Sequence, residues 1–101
     1  MRRKSQTLLG VAWYRPEQWA SLRSLASDAE ILEEIHAEWV ILARKTMRDL
    51  AAQGVAVRKV DVDVNDLQAW CIGQKRPLDS SARAEYAGKQ LRDAHEGPSP
   101  R

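Results

Sequence analysis

Residues 55–64 read Val55-Ala56-Val57-Arg58-Lys59-Val60-Asp61-Val62-Asp63-Val64. Val60, Val62 and Val64 alternate with Asp61 and Asp63, the two-residue period of a strand with one buried face. Val55 and Val57 fall on the opposite phase, which a bulge near Arg58 and Lys59 would reconcile. A strand needs a neighbour. Residues 7–14 (TLLGVAWY) supply one: a short, apolar, β-prone run that reads as a strand buried on both faces.

Between and after these strands the spacing is helical. Pro16 suits the first position of a helix, where a missing N–H costs nothing, and Trp19, Leu22, Leu25 and Ala26 recur at helical intervals to about Ala26. Ser27-Asp28-Ala29-Glu30 has the form of a capping box. It predicts one long central helix over about 28–53, roughly 40 Å in length, stopped by Gly54 as a left-handed cap. Asn65, with Gln68 in the reciprocal position, is expected to cap a third helix whose apolar side is Leu67, Trp70 and Cys71 and which ends at Lys75-Arg76-Pro77. Asp79 or Ser80 then opens a fourth, carrying Ala84, Tyr86, Ala87 and Leu91. The expected fold is helix-rich α+β, ordered β-α-α-β-α-α, with a two-stranded sheet covered by helices. Strand direction stays open, because a two-helix connection permits parallel or antiparallel pairing. The 101 residues suit a single domain over 7–95, with a disordered basic N-terminus (1–6) and a disordered tail (96–101).

Three pieces resemble a small family of bacterial proteins with no assigned activity: Leu9-Gly10-Val11-Ala12-Trp13-Tyr14-Arg15-Pro16-Glu17-Gln18-Trp19, Ala69-Trp70-Cys71 and Ala82-Arg83-Ala84-Glu85-Tyr86-Ala87. The resemblance implies a compact stand-alone domain and brings no site residues with it.

Composition narrows the function classes. The net charge of +2 owes four of its positive charges to Arg2, Arg3, Lys4 and Arg101 at the ends, so the folded body is net negative and overall basicity is no argument for nucleic-acid binding. One cysteine, Cys71, makes neither an internal disulfide nor a multi-cysteine metal site. On the apolar side of its helix and with no histidine nearby in sequence, it reads as an inert buried thiol. No apolar run reaches the roughly 18 residues of a membrane span, and the stretch behind Arg2-Arg3-Lys4 is too short for a signal peptide. The expected setting is the cytoplasm.

Few residue patterns carry chemistry. Glu33 and His36 have the Glu-x-x-His spacing of carboxylate-bridged metal bundles, but in a single copy; the other histidine, His95, sits near the tail. Asp61 and Asp63 would share one strand face and are a second weak metal or acid–base candidate, while Asp66 suits a helix start. Trp13, Tyr14, Arg15, Trp19 and Arg23 combine aromatic and basic groups as a nucleic-acid platform does. With no phenylalanine in the chain, however, Trp13 and Trp19 are expected in the core. Lys75, Arg76, Arg83 and Lys89 on the last two helices could serve a nucleic-acid accessory role, although the segment between those helices is long for a helix-turn-helix. No glycine-rich phosphate loop, hydrolase triad or zinc signature is present, and no cofactor is expected.

The most informative pattern is charge order along the central helix. Asp28, Glu30, Glu33, Glu34 and Glu38 come first, and Arg44, Lys45 and Arg48 come last, with Asp49 the exception. The macrodipole favours this order only within a turn of each end. At about 100° per residue, Ile31, Leu32, Ile35, Trp39, Leu42 and Leu50 form a broad apolar arc. Glu30, Glu34, Glu38, Lys45 and Arg48 lie opposite, with Ile41 among them. Antiparallel two-fold pairing would bring Ile41 to its mate and set Glu34 and Glu38 against Arg48 and Lys45 of a second copy. These features point to a small interaction or adaptor protein that forms a homodimer or binds another protein. A nucleic-acid accessory role and a metal-dependent enzyme stand as alternatives.

Overall fold

The structure, a computed structural model, describes residues 8–96, with side chains described to residue 94. The ends expected to be disordered, 1–6 and the tail after Glu96, lie outside the described residues. The order is β1 (Leu8–Trp13), a 3-10 turn (Pro16–Gln18), α1 (Trp19–Leu25), a second 3-10 turn (Ala29–Ile31), α2 (His36–Ala52), β2 (Ala56–Asp61), α3 (Val64–Gly73) and α4 (Ser80–Glu96). This is the expected helix-rich α+β order. No helix among the described residues is long and apolar enough to cross a membrane.

β1 and β2 pair in parallel, from Leu8 opposite Ala56 to Trp13 opposite Asp61. The register is unbroken, so the bulge expected at Arg58 and Lys59 is absent. Lys59 takes an apolar role in place of a phase change: it shares a face with Trp13, and its ammonium lies 4.2 Å from that ring's centroid. β2 also stops three residues early. The Gln18 side-chain amide donates to the Val62 carbonyl at 3.1 Å and accepts from the Val64 N–H at 2.8 Å. One side chain thus fills the place of a neighbouring strand and turns the chain into α3. Val62 and Val64 are buried as expected, but as the entry to a helix.

The long central helix is the largest correction: α2 begins at His36, not near 28. The capping residues are spent on distant partners. Ser27 donates its N–H to the Leu78 carbonyl, and Asp28 accepts from the Ser80 N–H and from Arg83. The Trp19 indole donates to the Glu33 carbonyl at 2.9 Å, tying down the chain between the second 3-10 turn and α2. Long-range hydrogen bonds outcompete a local cap worth about 1 kcal/mol. The cap of α3 also moves, from Asn65 to Asp63, whose side chain accepts from the Asp66 N–H. Asp79 caps α4 by accepting from Ala82, and Gly54 (φ +89°) follows α2 in the left-handed conformation expected of it.

The core lies at one end of the sheet. Tyr14, Trp19, Leu22, Val62, Val64, Leu67, Cys71, Leu78, Ala82 and Tyr86 form it, and none of them belongs to β1, β2 or α2. The expectation that β1 is buried on both faces is therefore overturned: its residues are half-buried, with Leu8 and Leu9 exposed, because its outer edge has no strand beside it. α4 crosses one sheet face closely at Gly10, where an added Cβ would stand 3.0 Å from the Ala87 carbonyl oxygen and 3.1 Å from Val60. Backbone cannot yield as a side-chain tip can. Gly10→Ala should cost about 1–3 kcal/mol, read as a lower midpoint in urea denaturation.

Candidate interaction surface

The phase of β1 follows from one hydrogen bond. Val62 donates to the Trp13 carbonyl at 3.0 Å, so Trp13 faces β2. By alternation Val11 and Leu9 do too, while Gly10 and Ala12 aim both N–H and C=O outward. Tyr14 shares the outward phase, and its carbonyl accepts from His36 Nε2 at 2.7 Å. Gly10 and Ala12 have no such partner among the described residues. Beside them runs a cleft of about 360 Å³, walled by Leu9, Val11, Trp39, Ala43 and Leu50 and closed on the other side by Ala84 of α4. The outer edge of β2 differs in character. Its cleft, about 440 Å³, is lined by Arg58, Lys59, Asp61 and Gln90, charges of the kind that keep strand edges from pairing.

α2 flanks the open edge. Its apolar arc is only half covered. Trp39, Val40, Ala43, Met47 and Leu50 are half-buried, whereas Ile35 (55% exposed) and Leu42 (46%) stay outside, and no residue of the 17-residue helix is fully buried. Ile35, Trp39, Leu42 and Thr46 follow one another at four-three-four spacing, a single stripe along the helix. Its upper end is anchored by aromatic packing: Trp39 stacks on Trp13 (centroids 4.9 Å), Trp19 (5.0 Å) and Tyr14 (5.6 Å).

The residues singled out for pairing fall as follows. Ile41 is 67% exposed, and Glu38, Lys45 and Arg48 are exposed beside it on α2. Glu34 is exposed but precedes the helix. Lys45 already bonds Asp49 of its own helix at 2.9 Å, a local pair that charge order alone did not reveal.

Several of the other candidates are drawn into structural contacts. Glu33 and His36 do not share a helix. Since a carbonyl can only accept, His36 Nε2 carries the proton in its bond to Tyr14, which leaves Nδ1 as the ring's acceptor. Asp61 ends β2 while Asp63 caps α3, so they do not form one strand-face pair. Among the described residues no group of three or more His, Cys, Asp or Glu is placed to hold a metal. Cys71 is buried, and burial pushes its thiol above the usual range. Of the bases singled out near the last two helices, Arg76, in the segment between them, pairs with Glu85, Lys89 with Asp93 and Arg83 with Asp28, whereas Lys75, in the same segment, is exposed and has no ion-pair partner among the described residues.

The Asp28–Arg83 pair went unforeseen. It is a two-pronged contact, 2.8 and 3.0 Å, with Arg83 only 8% exposed. The one signal in the sequence is the run of small residues around Arg83, which lets α4 approach closely enough to bury a guanidinium. Tyr14 lies near this pair. Its hydroxyl is buried without a partner among the described residues, and burial raises its pKa well above the ordinary phenol value. No family model, curated protein or solved structure matches the chain.

Proposed function

We propose that this chain is a small protein-interaction domain that works by associating with a second copy of itself. One observation carries the proposal: Ile35, Trp39 and Leu42, at the cap and on the first turns of α2, form an apolar stripe left half uncovered, beside a strand edge whose Gly10 and Ala12 backbone groups have no partner among the described residues. Isolated exposed apolar residues are ordinary on protein surfaces. A stripe continuous with an open edge marks an interaction site. Metal-dependent and nucleic-acid roles draw less support: no group of three or more His, Cys, Asp or Glu is gathered among the described residues, and Arg76, Arg83 and Lys89 are each held in an ion pair within the fold.

Sedimentation velocity over a dilution series tests the reading directly. The expected result is a monomer–dimer equilibrium that shifts with concentration and survives high salt, because apolar contact carries it. A species that stays monomeric up to its solubility limit would refute self-association.

A further inference from the structure

We propose that two copies join through the free edges of β1, antiparallel about a two-fold axis at Val11, forming one four-stranded sheet in the order β2-β1-β1-β2. The proposal rests on the self-association reading and names its surface.

The outward groups of β1 are self-complementary. In an antiparallel pair centred on Val11, Gly10 stands opposite Ala12 of the mate, and each such pair exchanges two N–H···O=C bonds. The two-fold repeats the exchange, giving four hydrogen bonds from backbone groups that have no partner among the described residues. Leu8 to Trp13 contains no charged residue and no proline, the usual devices against such pairing. β2 carries Arg58, Lys59 and Asp61 at its own edge. The chain thus guards one edge and leaves the other open. A two-stranded sheet is marginal alone, and four strands flanked by helices are not.

The helices agree with this axis. α2 begins where His36 meets Tyr14 at the end of β1, and it leads back to Ala56 opposite Leu8, so it runs antiparallel to β1. Trp39 stacks on Trp13. Moving back from Trp13 to Val11 covers about 6.6 Å, or about four residues along the helix, so the axis passes close to Leu42 and Ala43. The exposed side chains Leu9, Ile35 and Leu42 then border the seam. Glu38, the one acid in the first half of α2, flanks this seam on each copy, whereas Arg48, about 120° round the helix from Leu42, points away from it. The seam is therefore apolar, rotated from Ile41 toward Leu42, and the antiparallel sense comes from β1 and the direction of α2.

A self-crosslink tests the two-fold. Val11 would face its own symmetry mate in a non-hydrogen-bonded pair, with Cβ atoms about 4.5–5.5 Å apart. The full chain carrying Val11→Cys should form a disulfide-linked dimer on mild oxidation, seen by non-reducing electrophoresis. Ile41→Cys should not, and buried Cys71 should leave the parent protein unlinked. Ala12→Pro removes an outward N–H that β2 does not use. It should weaken dimerisation by about a hundredfold or more while the circular dichroism of the monomer is kept. A sedimenting dimer that fails to link through Val11→Cys, or that links through Ile41→Cys instead, would overturn the strand-edge proposal and leave self-association standing. A parent protein monomeric at all concentrations would sink both. Capture of an extended peptide by such a monomer would assign the edge to a different partner.

Discussion

Trp19→Ala should cost about 4 kcal/mol of folding stability, near the whole margin of a small domain at the low end of the usual 5–15 kcal/mol. Trp19 is 4% exposed, and its ring packs between α1 and the start of α2 against Trp39 and Tyr14. The indole N–H also holds the Glu33 carbonyl. The substitution therefore opens a cavity and releases the segment that sets where α2 begins. Trp19→Phe separates the two losses. It keeps most of the ring volume and leaves the carbonyl without its donor, for about 1–2 kcal/mol. Equilibrium denaturation in urea reads both variants, and a Phe variant as damaged as the Ala variant would show that the hydrogen bond, not the packing, matters most.

Arg83→Ala should cost about 3 kcal/mol. Removing one partner of a largely buried ion pair strands the other without compensation, and here Asp28 would keep only the Ser80 N–H. The hydrogen bond from Arg83, followed by its charge, holds the Asp28 carboxyl below its ordinary range. The sign follows from linkage: a carboxyl depressed in the folded state stabilises above its unfolded value, about 3.9, and this contribution fades as pH falls through the folded value. Wild type should therefore exceed Asp28→Asn in stability at pH 7, and the gap should narrow below about pH 4. Parallel loss at both pH values would mean that Asp28 acts through shape alone.

Much of the architecture was legible because it depends on local periodicity. The valine–aspartate alternation marked β2, Pro16 and Gly54 punctuated the chain, and the spacing of Trp19 and Leu22 marked α1. What went unread depends on partners distant in sequence. Ser27 and Asp28 look like a cap and act as tertiary anchors for α4, so α2 lost its expected first eight residues. Gln18 ends β2 from across the fold, which moved the cap of α3 to Asp63. Parallel pairing has no sequence mark when two helices lie between strands. The candidate surface was half legible. Charge order exposed Ile41 and suggested antiparallel pairing, but an apolar run such as residues 7–14 reads the same whether its edge is filled or open.

The core's position at one end of the sheet has a consequence for how the molecule comes apart. α1, α3 and α4 share the buried cluster, whereas α2 contributes none of its members. Local opening free energies follow such differences in buried contact, so α2 and the adjoining start of β2 form the least protected cooperative unit. Their amides should exchange with solvent through partial openings that leave α3 intact. Any partner that covers α2 would then raise the protection of residues it never touches.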